Sequence, residues 1–409
     1  MFFPGMFRKS ADKPMTSKEL AEIIGLSYET YVGRRISPQL SMQLTSVFSC
    51  VRVLAESVGM LPCGLYEQLE RGNKRAVKER LNKLLSVKPN DYMTPQEFWE
   101  LLVACLCLRG NFYAYKVMAL GEVVELLPLD PGSVVPKLNS QWEPEYQVTF
   151  PDGTTASLSQ QEIWHVRIFT LDGLVGLSPI AYARQAIGLG LATEEHGARL
   201  FGNGAVTSGV LQTDQVLTDE AFNRLKNDFE GNHQGLSNAH KPMILEMGLK
   251  WQQISLSSED AQFLETRKFQ LEEICRIFRV PLHMVQNTDR ATFNNIENLG
   301  IGFINYSLVP YLTRIEQRIN VGLVKPSAQG RFYAKFNAGA LLRGDMKSRF
   351  EAYATGINWG IYSPNECREL EELNPRSGGD IYLTPMNMTT KPTESSKNKP
   401  IEENTDGND

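Results

Sequence analysis

The longest apolar block in this chain of 409 residues is LLVACLCL, residues 101–108. A membrane-spanning helix needs roughly 20 such residues, so none is expected, and no membrane partner. The start, MFFPGMFRKSADKP, holds no apolar run of the length a secretory signal requires. The six cysteines (Cys50, Cys63, Cys105, Cys107, Cys275 and Cys367) include no C-x-x-C pair, and none lies at zinc-finger spacing from a histidine. Cys50, Cys105 and Cys275 fall in apolar helical stretches and read as small buried thiols. An excess of positive charge is missing too. The formal net charge is −5, from 42 Lys and Arg against 47 Asp and Glu. A protein that grips nucleic acid over its whole surface gathers cations against phosphate, so only local or sliding contact stays open. The expectation is a soluble intracellular protein of two or three domains.

Signatures of catalysis are equally sparse. There is no G-x-x-x-x-G-K-[ST] loop for nucleotide phosphates, no H-E-x-x-H and no G-x-S-x-G. Gly188-Leu-Gly190 lacks the third glycine of a dinucleotide fingerprint and lies inside a helical pattern. The five histidines (His165, His196, His233, His240 and His283) are scattered, so each reads as a structural or surface residue and not as a metal ligand. No cofactor, metal or catalytic residue is expected, short of a site assembled only in three dimensions.

What is present is architecture. Ser37-Pro38 supplies an N-cap and a proline for a helix whose stripe is Leu40, Leu44, Val47, Val51, Leu54 and Val58, stopped by Pro62. CGLYEQLERGNKRAVKE reads as two short strands around a turn. Thr94-Pro95-Gln96-Glu97 is a capping box; the helix it opens buries Phe98, Leu101, Leu102, Cys105 and Leu108 and ends at Gly110. From 111 to 169 the period changes to two, in NFYAYKV, EVVELLPL, EYQVTF and IWHVRIF, so the first 170 residues look like an α+β domain with a mainly antiparallel sheet.

Ser178-Pro179 then opens a long helix to about Phe201, with Ile180, Ala183, Ile187, Leu191, Ala198 and Phe201 on one face. Gly188, Gly190 and Gly197 lie inside it, at a cost of about 1 kcal/mol each relative to Ala. Either the helix is weak or another backbone approaches it closely; the intact stripe favours close approach. Residues 205–257 form a small α/β insert of SGVLQT, a helix from Thr218 carrying Phe222 and Phe229, KPMILEM, and a strand with Trp251. Ser257-Ser258-Glu259-Asp260 opens a helix through Phe278. A last long helix spans about 295–323, with Pro310 inside it. Proline removes a donor and crowds the carbonyl of Tyr306, so a kink is expected there. After a strand, RFYAKFN, two small helices follow at 346–357 and 364–373. The first 30 residues and the polar tail from Lys391 read as mobile.

Between the helices ending at Phe278 and starting near Asn295 sits PLHMVQNTDRATFNNIENLG (281–300), a polar, amide-rich stretch with no catalytic pattern. Read from its residues alone, it is either a solvated connector or a surface built for many weak contacts. Two helices flanking an insert, the second returning through a polar loop into a long kinked helix, resemble the portal proteins of tailed bacteriophages. SVFSCVRVLAESVGMLPCGLYE, LDGLVGLSPI, GARLFGNGAVTSGVL, DAQFLETRKF, IFRVPLHMV, TFNNIE and LLRGDMKSR carry the resemblance in order, from about 37 to 386. The chain is most similar to portals of long, flexible-tailed phages.

That resemblance implies a portal fold with a flexible N-terminus (1–36), a wing (37–177) and stem helices (178–204 and 258–280) around a clip (205–257). It also implies a tunnel loop (281–295), a long wing helix with returning strand (296–342), a small crown (343–390) and a disordered tail (391–409). It implies a ring of about twelve copies at the capsid vertex, passing double-stranded DNA without sequence preference. Terminase, major capsid and scaffolding proteins, and later neck proteins, are the implied partners. The ring would be assembled in the host cytoplasm, nucleate the procapsid and end in the virion. Asn287, Thr288, Asp289, Arg290, Thr292, Phe293 and Asn294 would line the channel. Gly188, Gly190 and Gly197 would let stem helices of neighbouring subunits approach, Pro310 would kink the wing helix, and Phe222, Phe229 and Trp251 would build the clip's binding face. A loop facing a moving polyanion suits amides and hydroxyls, which bond phosphate and release it; Asp289 offsets the charge of Arg290. A ring of acidic subunits repels DNA from its wall. A head–tail connector is the alternative of another class, although such adaptors are shorter and lack the insert between paired helices.

Overall fold

The computed structural model describes residues 28–70, 72–202, 209–213, 218–232, 250–253, 257–285, 296–341, 346–371 and 373–383. The expectations for residues 1–27 and for the tail lie outside these. The chain divides into two compact units, residues 1–341 and 342–409.

The larger unit begins with a hairpin of β1 (Tyr28–Glu29) and β2 (Arg35–Ile36). Ser37 caps α1 (Pro38–Ser41), its hydroxyl accepting from Leu40 N at 3.0 Å. The sequence predicts one helix from here to Val58. Instead the chain turns after Ser41, whose hydroxyl donates back to Pro38 O at 2.7 Å, and restarts as α2 (Thr45–Gly59). Such back-bonding competes with the helical ladder and bends it. Leu44, Val47, Val51, Leu54 and Val58 are all buried, as their spacing predicts.

After β3 (Cys63–Gln68) and β4 (Asn73–Arg75) comes α3 (Arg80–Ser86). Its seven residues carry too short a pattern to read, but Leu84 and Leu85 are buried and Asn82 Oδ1 accepts Leu65 N at 3.0 Å. In α4 (Pro95–Arg109) the capping box is complete. Thr94 Oγ1 accepts Glu97 N at 3.3 Å, and Glu97 Oε2 accepts Thr94 N at 2.7 Å. The predicted stripe is partly wrong: Leu101 is 38% exposed, while Phe98, Trp99, Leu102, Val103, Leu106 and Cys107 are buried. The helix is covered on more than one side, by α2 and by the strand that follows, so a single stripe cannot describe it. Gly110 closes it at φ +75°, where a Cβ would lie 2.4 Å from Leu177 O; only glycine fits.

The period-two region holds six strands, not four: β5 (Asn111–Ala119), β6 (Glu122–Leu129), β7 (Val134–Leu138), β8 (Pro144–Thr149), β9 (Thr155–Ser159) and β10 (Ile163–Arg167). They form two antiparallel sheets, β10-β5-β6 and β7-β8-β9, where the sequence suggests one. Phe98, Trp99, Phe112, Trp164 and Phe336 meet in an aromatic cluster with ring centroids 5.2–6.4 Å apart. Each such pair adds about 0.5–1.5 kcal/mol beyond the area it buries.

The chain then crosses α5 (Pro179–Gly202), β11 (Gly209–Gln212), α6 (Asp219–Asn232), β12 (Lys250–Gln253) and α7 (Ser257–Phe278). The long final helix is α8 (Ile296–Phe303), a π-helical turn (Ile304–Leu308) and α9 (Val309–Gly322). Last in this unit, β13 (Phe332–Phe336) returns to pair antiparallel with β3. Its outer edge is not left open. Asn320 Oδ1 and Glu316 Oε1 on α9 accept Ala334 N and Phe336 N, each at 2.8 Å. Burial raises the pKa of the Glu316 carboxyl, and the Phe336 N–H bond opposes that.

The smaller unit holds α10 (Met346–Asn358) and α11 (Pro364–Leu370). A second capping box, Ser363 with Glu366, starts α11, and Arg349 Nε pairs with Glu371 Oε1 at 2.6 Å. Strands and helices thus mix in an α+β chain, as the sequence reading expects.

Candidate functional site

The paired helices α5 and α7 frame the insert. On α5 the stripe Ile180, Ala183, Ile187 and Leu191 is buried, but Ala198, further along it, is exposed. Among the described side chains of α7, Gln270, Ile274, Cys275 and Phe278 are buried. Arg267 Nη2 and Glu194 Oε1, 3.8 Å apart, join the two helices. Tyr182 and Leu189 of α5 and Phe269 of α7 present large apolar surface to solvent in the single chain.

At two of the α5 glycines, where the sequence suggests close approach of another backbone, the near neighbours within the chain are side chains. A Cβ at Gly188 would lie 3.0 Å from Thr30 Cγ2 of the first hairpin, and one at Gly190 would lie 3.0 Å from Leu44 Cδ2. Both glycines, and Gly197, are buried. The N-terminal segment therefore occupies the groove that Gly188 and Gly190 open.

Residues 286–295, with Asn287, Thr288, Asp289, Arg290, Thr292, Phe293 and Asn294, lie outside the described residues. Their two anchor points do not. After α7 the chain reverses at Arg279, whose φ of +57° is left-handed. Val280 N bonds back to Cys275 O at 2.9 Å, a helix-ending motif in which glycine is the usual reversing residue. Leu282, Met284 and Val285 then pack on the main core. On the far side, the π turn brings Ser307 against this reversal, and its hydroxyl donates to Arg279 O. This bond ties the reversal after α7 to the π turn of the long helix that follows the polar segment.

The π turn sits directly before Pro310. Val309 N bonds to Ile304 O, five residues back, which widens the coil where the proline ring would crowd the carbonyl of Tyr306. Beneath the same junction, Cys50 of α2 and Cys275 of α7 lie with sulfurs 3.7 Å apart. The shared hydrogen bond and burial raise the Cys50 thiol, while the bond from Cys50 lowers Cys275.

In the insert, β11 pairs antiparallel with β12, Leu211 opposite Trp251. Phe222 on α6 is 57% exposed. Phe229 belongs to α6 and Trp251 to β12, but their side chains lie outside the description, as does the KPMILEM stretch.

One buried polar node escapes sequence reading. Asn111 Nδ2 donates to Arg109 O and Gly176 O, so its Oδ1 accepts from Gly176 N at 2.7 Å and from His165 Nε2 at 3.1 Å. His165 Nδ1 is then the acceptor facing Tyr146 Oη at 3.3 Å. Burial first, then the Arg167 and Arg318 guanidiniums, lower the histidine pKa well below its ordinary value. This neutral imidazole joins the two sheets and the start of α5. Among the described residues no group of three or more His, Cys, Asp or Glu could hold a metal, and no helix is long and apolar enough to cross a membrane.

Over residues 45–372 the chain matches the family model described as phage portal protein. The chain belongs to the phage portal family. It is 34% identical over 366 residues to the portal protein of Enterobacteria phage HK97, covering 88% of this chain and 85% of that one. It is 31% identical over 370 residues to the probable portal protein of Streptomyces phage phiC31, covering 87% and 80%. Among solved structures, a chain from the neck of a native gene transfer agent particle, computed with C12 symmetry, superposes with a TM-score of 0.58 at 26% identity, covering 83% of this chain and 92% of that one. Portal proteins are structural members of the virion, and portal relatives assemble in rings.

Proposed function

We propose that this portal protein closes into a ring at one capsid vertex, with residues 286–295 of each copy bordering the channel through which double-stranded DNA is packaged and ejected. The family match along 45–372, joined to the likeness to a twelve-fold neck, carries the reading. The packing of Val285 on the core and the bond from Ser307 to Arg279 O support it locally, since they fix the chain on either side of the polar segment. On this reading α5 and α7 are the stem, residues 205–257 the clip that docks terminase and then neck proteins, residues 343–390 the crown, and the rest of the larger unit the wing. The ring also nucleates procapsid assembly with capsid and scaffolding proteins, acts without catalysis, and is assembled in the host cytoplasm before it enters the virion.

Arg290→Ala tests the channel assignment. Thermal stability should stay within about 0.5 kcal/mol of the parent, while DNA packaging or retention changes, with an effect that shrinks as salt screens phosphate contact. A strong loss of stability with normal packaging contradicts it.

A further inference from the structure

Along one face of α9, Arg314 and Arg318 stand one helical turn apart, about 6 Å between their Cβ atoms. Each is half-buried. Arg279 and Arg314 are both close enough to Tyr311 to act on its phenol. Arg318 and Arg167 of β10 flank Tyr146 and His165, and Arg318 disfavours the charge on Arg167 after burial itself. Arg314 and Arg318 therefore share one helix face, with Arg279 near the first and Arg167 near the second.

Counterions for this face are sparse among the described residues. Among the described residues, Arg279, Arg314 and Arg318 make no ion pair. The carboxylate near Arg167 is Asp172, which already accepts Leu174 N, Val175 N and the Thr170 hydroxyl, each at 2.8 Å. A half-buried guanidinium keeps its charge at any ordinary pH, and an anion recovers its partial loss of water most strongly.

We infer that the Arg314–Arg318 ridge receives carboxylates of a second copy of this chain, so that the ridge is completed only across the subunit boundary. The inference rests on the ring reading above. In a ring each copy meets its neighbour through two different faces, which lets a basic face on one meet an acidic face on the next. The chain supplies such groups: Glu265, Glu272 and Glu273 on α7 are exposed or half-exposed and make no ion pair among the described residues. Recessed cations flanked by Tyr146 and Tyr311 suit slender carboxylate side chains better than the broad surface of a duplex.

The test compares the full-length parent with Arg314→Glu/Arg318→Glu by sedimentation velocity at low and high salt. Thermal unfolding and the anisotropy of a labelled DNA duplex are measured alongside. The parent should form rings that weaken with salt. The variant should keep its unfolding midpoint and lose at least about tenfold of the ring fraction. If charge reversal unfolds the chain, Arg314→Gln/Arg318→Gln removes the charge without adding one and must show the same loss. Rings formed by the variants as by the parent overturn the inference alone. Intact rings with weakened duplex binding overturn it in favour of a phosphate-binding ridge. A parent that forms no ring overturns both this inference and the portal-ring reading.

Discussion

At the residue scale, His165 and Gly188 show what a single position does in this fold. His165 is neutral in the folded chain because burial and two guanidiniums disfavour its charge, whereas in the unfolded chain it titrates near its ordinary value, about 6.5. The unfolded state therefore binds more protons below that value, and stability rises with pH there. The node's contribution should be complete above about pH 6.5 and fall progressively on acidification. His165→Leu should flatten that part of the pH profile of thermal unfolding. It should also lower stability by about 1–3 kcal/mol, since Tyr146 Oη and Asn111 Oδ1 lose a buried partner. An unchanged profile would remove His165 as the cause. At Gly188 the 3.0 Å approach to Thr30 means a leucine must displace the first hairpin. Gly188→Leu should cost about 1–3 kcal/mol in the unassembled chain, read by denaturant unfolding below the assembly concentration. Full stability combined with failed ring formation would instead place that glycine at a subunit contact.

At the element scale, long periodic segments were legible and short or two-sided ones were not. The helices of α2, α5, α7 and α9 follow from apolar spacing, and the capping box at Thr94 marks the start of α4 from four residues. The returning strand RFYAKFN reads as a strand, but its pairing with β3, 264 residues away between Arg331 and Glu67, has no local signal. β7 and β9 escaped notice because PKL and TASLS alternate weakly. α3 escaped because one and a half turns cannot show a period. The face of α4 misled because burial on several sides erases the stripe. Of the candidate site, the sequence exposes the polar segment and Pro310. It cannot expose the tie from Ser307 to Arg279, or the approach of Cys50 to Cys275, which depend on tertiary geometry. For the insert, deleting 212–250 with a short linker should abolish terminase binding in a pull-down while the larger unit keeps most of its thermal stability. Retained binding would refute the clip assignment.

At the scale of the whole molecule, the single chain is incomplete in three independent ways. Tyr182, Leu189 and Phe269 leave apolar surface open on the paired helices, Arg314 and Arg318 of α9 make no ion pair among the described residues, and a polar segment with no catalytic pattern joins α7 to α8. On the proposed ring reading, a net charge of −5 on each copy would give a wall that repels DNA and keeps contact with a passing duplex local. Closure into a ring accounts for these features together. Cryo-electron microscopy of the purified full-length protein tests that closure most directly. The account predicts a closed ring with an axial channel, residues 286–295 at its narrowest point and α9 ridges facing neighbouring copies. Monomers, open filaments, or a ring carrying residues 286–295 on its outer surface would contradict it.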